Sequence, residues 1–375
     1  MMQRIGFLDG LRGLACMQVV LFHYGSAFCP NARLGVLANG VLAVAIFFVI
    51  SGFVLTESFA RAPGAIAGHL SRRALRLALP AAVSILFAAL LWRCDAGVAA
   101  RAAWLNHDGP WALMFSLPGA AGLAWDLTGW PILLGDPALR ALHIGLPAYA
   151  VTSLNPPLWS ISAEFYGSIW VVGLVALRAL ARPAYWAALL ASLYVIGAGD
   201  LWLFTAGHLC AELPRRGGRW LPVAGWLALG LAMALLTGLA PQWAVVLPAG
   251  RLGAAMALPP GTELAAALIF IGVLLVPGLR ELLAKPAPLF LGRRAFSIYL
   301  LHWPIMASAG SLVFLGMRPF GAALAACLAL AVGLALTFAG AGLFEAAVDQ
   351  PAVRLSRRIM SGPAPAARRA RVVPP

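Results

Sequence analysis

The sequence predicts an all-α integral membrane protein of about ten transmembrane helices, and three observations carry that prediction. Of 375 residues, 62% are hydrophobic and 11% charged, against about 45–50% and 25% in soluble domains. Apolar runs of about 20 residues recur along the chain, the length that crosses a hydrocarbon core of ~30 Å at 1.5 Å per residue. The cations are almost all arginine, with Lys285 the single lysine, and they gather between the apolar runs. A net charge of +14 spread in this way belongs to membrane topology, so the bilayer is the expected partner and nucleic acid is not. Length alone would suggest two soluble domains; composition overrules it.

The first apolar run, 6–28, reads GFLDGLRGLACMQVVLFHYGSAF and carries Asp9, Arg12 and His23. An Arg or Asp near the centre of a membrane helix costs roughly 2.5–3.5 kcal/mol, so these residues mark more than an anchor. Arg12 and His23 are eleven positions apart, about three turns, and share a helical face roughly 16–17 Å apart along the axis. Asp9, three residues before Arg12, is placed to pair with it. The run lacks a small-residue cleavage pattern and is expected to stay in the mature chain.

Further apolar runs follow at 36–57, 77–93, 157–177, 184–200, 201–213, 220–239, 263–280, 288–314 and 321–344. The sixth of the ten is short for a full span. With ten spans, the clusters Arg72/Arg73/Arg76, Arg178/Arg182, Arg215/Arg216/Arg219, Arg280/Lys285/Arg293/Arg294 and Arg354/Arg357/Arg358 fall on one side, which puts both termini in the cytoplasm. A long connection from 94 to 156 lies on the other side and holds Trp104, Trp111, Trp125 and Trp130, residues that favour the interface. Residues 1–360 form the membrane domain; 361–375 read as a disordered tail rich in Pro, Ala and Arg.

Glu164, in SISAEFYGSIW, falls early in the fourth run, where the helix dipole favours an acid. Arg73 and Arg76, three apart beside Arg72, share one helical face and suit a phosphate. His302 lies mid-run in IYLLHWPI. His69, His107, His143 and His208 carry no comparable context. The five cysteines include no CxxC pair, so no metal site is expected; Cys29 and Cys94 would form a disulfide only if they meet on one side. The chain has no G-x-S-x-G elbow, no H-E-x-x-H and no phosphate-cradling glycine loop.

LDGLRGLA with Arg12 and His23, FFVISGFVL at 47–55, RRALRLALP at 72–80, LWSISAEFY at 158–166 and FSIYLLHWPI at 296–305 resemble, in order, the acyltransferase-3 family of integral membrane acyltransferases. The resemblance implies a stand-alone membrane domain without the esterase-like domain some relatives append. It implies acyl-CoA, acetyl-CoA by default, as cytoplasmic donor and no metal. The implied acceptor is a carbohydrate hydroxyl on a polysaccharide or lipopolysaccharide, at the inner membrane of a bacterium. On that footing His23 is the base, Arg12, Asp9 and Glu164 complete the catalytic set, Arg72, Arg73 and Arg76 hold the donor, and His302 lines the substrate path. The rival reading is a proton-coupled transporter or channel built on the same intramembrane charges, disfavoured by the absence of an internal repeat.

Overall fold

A computed structural model describes residues 5–29, 35–61, 66–94, 153–195, 201–211, 218–239 and 261–360, with isolated positions between 98 and 127 and at 213. These residues are helical throughout their regular elements: α1 (Gly6–Phe28), α2 (Gly40–Arg61), α3 (Ile66–Cys94), α4 (Ser160–Leu180), α5 (Arg182–Val195), α6 (Leu201–Cys210), α7 (Leu221–Leu236), α8 (Thr262–Leu275), α9 (Pro277–Leu283), α10 (Pro286–Ile305), α11 (Ser311–Met317), α12 (Ala322–Phe344) and α13 (Gln350–Met360). The protein is an all-α, polytopic membrane protein. Among the described residues, five helices are long and apolar enough to cross a bilayer, or six if α8 and α9 form one bent span. The loop tryptophans and the tail beyond 360 lie outside the described residues.

Several boundaries differ from the apolar runs, each for a physical reason. The run expected over 263–280 is broken, with α8 and α9 bent by 97°. Pro277 lacks an N–H and disfavours the helical region at the residue before it, and Val276 is extended at φ −96°, ψ 108°. α3 begins eleven residues before the run at 77–93, so Arg72, Arg73 and Arg76 stand on the helix itself. α6 and α7 are apolar but only 10 and 16 residues long.

α1 packs mainly on α10 and α2, and α2 packs on α1, α4, α6 and α8. In a bilayer, apolar side chains gain little by leaving lipid, so close approach and hydrogen bonds select the contacts. Small residues make the approach. A Cβ on Gly292 of α10 would lie 2.0 Å from the Asp9 carbonyl oxygen, and one on Gly10 would lie 2.0 Å from the Leu283 carbonyl oxygen. The same device joins α2 to α6: a Cβ on Gly52 would meet Phe204 O at 2.1 Å, and one on Gly207 would meet Val49 O at 2.1 Å. The glycines of LDGLRGLA and FFVISGFVL therefore set interhelical distances.

Pro304 in α10 leaves the Leu300 carbonyl without its helical N–H donor. Ser84 Oγ (2.7 Å) and Asn155 Nδ2 (2.9 Å) donate to that oxygen instead. The Tyr299 hydroxyl donates to the Pro157 carbonyl and lies 2.8 Å from Ser160 Oγ. Together these bonds hold the turn Pro156–Trp159, and with it the start of α4, against the middle of α10. All five cysteines are free thiols, Cys29 and Cys94 included.

Candidate active site

A cavity of about 260 Å³ opens among α1, α2, α3, α4 and α10. Asp9 and Arg12 reach it from α1, Ser51 and Glu57 from α2, Arg73 and Arg76 from α3, Ser160 and Glu164 from α4, and Arg293 and Tyr299 from α10. Its apolar wall includes Val44, Phe47, Phe48 and Phe296. So many ionisable groups among membrane helices point to function rather than anchoring.

Within it Arg12 Nη1 donates to Asp9 Oδ1 at 3.0 Å, the pairing that their spacing predicts. Arg73 Nη2 donates to Glu164 Oε2 at 3.3 Å, and Ser51 Oγ donates to Glu164 Oε1 at 3.0 Å. Glu164 thus joins α2, α3 and α4, and Arg73 reaches a residue that the topology put at the far end of its helix. The seating of α4 on α10 explains the meeting. Arg76 also lines the cavity, whereas Arg72 does not. No ion pair is found for Arg76 or Arg293 among the described residues.

His23 and His302 lie just beyond this cavity rather than in its wall. His23 Nδ1 is 2.8 Å from His302 Nε2, with the ring centroids 5.0 Å apart and 14° between the planes, so the rings meet edge to edge. Trp303 stands edge-on to His23 at 5.2 Å. His302 is fully buried, and its Nδ1 lies 2.7 Å from the Tyr299 carbonyl oxygen. Tyr299 therefore touches both places, with its ring in the cavity wall and its carbonyl on His302. Between Arg12 and His23, Cys16 Sγ donates to the Ala295 carbonyl at 3.2 Å, so α1 follows α10 over this whole distance.

Sequence reasoning alone missed Ser51, Ser160, Arg293 and Tyr299. Arg293 and Tyr299 lie in an apolar run near residues already noted, whereas nothing local sets Ser51 or Ser160 apart. His208 resolves as a structural residue. It lies between Thr56 Oγ1 (2.9 Å from Nδ1) and the Tyr185 hydroxyl (3.0 Å from Nε2), joining α2, α5 and α6. His69 packs against Phe59, with ring centroids 4.4 Å apart and planes tilted by 40°.

An all-α membrane bundle that encloses a charged cavity beside a histidine pair marks an intramembrane functional site, and comparison with known proteins says which kind. Residues 5–342 match the family described as "Acyltransferase domain", and the chain belongs to that family: it is a membrane acyltransferase. It is 28% identical over 360 residues to the putative membrane-bound transacylase BcsY of Komagataeibacter xylinus, covering 88% of this chain and 79% of that protein. It is 28% identical over 407 residues to acyltransferase MdmB of Streptomyces mycarofaciens, covering 97% and 96%. It is 25% identical over 378 residues to O-acetyltransferase PaAT-1 of Phomopsis amygdali, covering 83% and 74%. No solved structure matches the chain.

Proposed function

We propose that the protein is an O-acyltransferase that moves an acyl group, acetyl in the simplest case, from cytoplasmic acyl-CoA to a hydroxyl of a surface or exported glycan. In this reading it spans the inner membrane of a bacterium with both termini in the cytoplasm. The observation that carries the proposal is the cavity, where Arg76 and Arg293 stand without carboxylate partners among the described residues while Arg12 and Arg73 are paired. Guanidinium groups with no carboxylate at bonding distance among the described residues, beside an apolar wall, suit a ligand that is anionic at one end and uncharged along its arm. At about 260 Å³ the cavity suits the linear arm of CoA, with the phosphates at the arginines. The relatives named transacylase and O-acetyltransferase support the reaction class.

His23 takes the proton of the acceptor hydroxyl as its oxygen attacks the thioester carbonyl. The C–S bond then breaks, and the proton passes to the departing CoA sulfur, so ester and CoA are the products. Arg73, held by Glu164 and Ser51, positions the donor together with Arg76, while Arg12 lies on the way between phosphates and base. The test is acyl transfer from radiolabelled acetyl-CoA in native membrane vesicles, with donor binding measured on purified protein. His23→Ala should abolish transfer and keep donor binding, because a base acts in the transition state. Arg76→Ala should weaken donor binding with less effect on the saturated rate. Near-normal turnover by a well-inserted His23→Ala protein overturns the assignment.

A further inference from the structure

We infer that His302 is the positioning residue of the base, setting the tautomer of His23 and leaving its Nε2 as the nitrogen that accepts the proton; the inference rests on His23 being the base. Hydrogen-bond polarity leads from one group to the next. The Tyr299 carbonyl can only accept, so His302 Nδ1, 2.7 Å away, carries the hydrogen. His302 is completely buried against the rings of His23 and Tyr299, with no carboxylate bonded to it among the described residues, surroundings in which a charged ring is costly and the neutral ring is favoured. A neutral ring protonated at Nδ1 has its lone pair on Nε2. That lone pair faces His23 Nδ1 at 2.8 Å, so His23 Nδ1 donates. The lone pair of His23 then resides on Nε2.

The arrangement is held from several sides. His302 reaches back one turn to the carbonyl three residues earlier, a reach that helical side chains make readily. The ring of Tyr299 is pinned through its hydroxyl to Pro157 and Ser160. Trp303 edge-on and Phe22 tilted at 5.3 Å fix the plane of His23. When the acceptor proton arrives at His23 Nε2, no proton leaves Nδ1. The N–H at Nδ1 becomes a charge-assisted donor to the neutral His302 ring, which stabilises the imidazolium. His302 never meets the substrate in this scheme; it acts through His23.

The test reads the tautomer directly. In ¹⁵N-histidine-labelled protein, with His23 assigned by the signals lost in His23→Gln, wild type should show His23 protonated at Nδ1 and bare at Nε2. His302→Phe, which keeps the bulk and removes the acceptor, should move the proton to Nε2. The same substitution should lower kcat for CoA release from acetyl-CoA in native membrane vesicles by roughly 10²-fold, with KM for acetyl-CoA changed less than about twofold. His302→Gln, whose amide oxygen can accept from His23 Nδ1, should recover at least about tenfold. A wild-type His23 protonated at Nε2 overturns the inference, whether or not the variants fold. So does a His302→Phe protein with wild-type tautomer and rate. In either case an inactive His23→Ala leaves the base itself standing, whereas turnover by His23→Ala removes the base whatever His302 shows.

Discussion

Helices α2 and α12 have almost the same mean hydropathy, yet their surroundings are opposite. In α2, 83% of the apolar stretch is buried inside the protein; in the stretch that contains α12 the share is 28%. Hydropathy cannot tell them apart, since lipid and protein interior are equally apolar. What separates them is the distribution of small and polar residues. α2 carries Ser51, Gly52 and Thr56 within its span and meets neighbours on most sides. α12 buries one stripe of small residues, Ala325, Ala329, Gly333, Thr337 and Ala341, at every fourth position, and turns Leu324, Leu336 and Leu343 outward. A Cβ on Gly333 would fall 1.9 Å from the Tyr24 hydroxyl, so the stripe is where α1 is admitted. Inside such a bundle, fit decides; at its rim, almost any apolar residue serves.

Substitutions can break or sharpen this contrast. The largest effect is expected for Gly52→Leu, which drives a side chain into the backbone of α6; no folded protein should be recovered from detergent, as judged by size-exclusion chromatography. Phe48→Ala removes a buried ring stacked on Phe204 at 4.9 Å and should cost about 3–5 kcal/mol in reversible unfolding. Arg73→Gln should weaken acetyl-CoA binding by ~10-fold or more, the equivalent of about 1.5–3 kcal/mol for a charge-assisted bond, read by equilibrium binding on purified protein.

Outside the spans, burial becomes visible as pH dependence. Asp126 is buried, which raises its pKa from 3.8 to about 6, although the Leu154 N–H and Ser153 hydroxyl donate to its Oδ2 and oppose the rise. The folded state therefore holds its proton more tightly than the unfolded chain. The stabilisation is complete below about pH 4 and is lost as pH climbs to about 6. Tm of wild type should fall across that window relative to Asp126→Asn, with parallel curves above it. The smallest effect belongs to the rim: Leu336→Ala, on the outer face of α12, should change unfolding free energy by less than about 1 kcal/mol.

Much of the candidate site was legible because charge inside a membrane run is conspicuous. Asp9, Arg12, Arg73, Arg76 and Glu164 stand out against apolar neighbours, and all line one cavity. Arg72 stood out equally and lies elsewhere, since adjacent residues on a helix point about 100° apart. His23 and His302 were both visible, but 279 positions separate them and nothing local joins them. The neutral polar members, Ser51, Ser160 and Tyr299, are common residues whose meaning comes from what they touch.

Composition and arginine placement determined by themselves that this is an all-α membrane protein, and the ordered motifs determined its family. They suffice because span length and the cost of burying charge are properties of single segments, independent of partners. Tertiary structure alone decided which segments surround the cavity, where α8 turns into α9, how Glu164 comes to meet Arg73, and that the two histidines share a hydrogen bond. Those outcomes depend on close approach at Gly10, Gly52, Gly207 and Gly292 and on where the carbonyl freed by Pro304 finds its donors. Each is a relation between helices distant in sequence, and hydropathy, read one segment at a time, is blind to it.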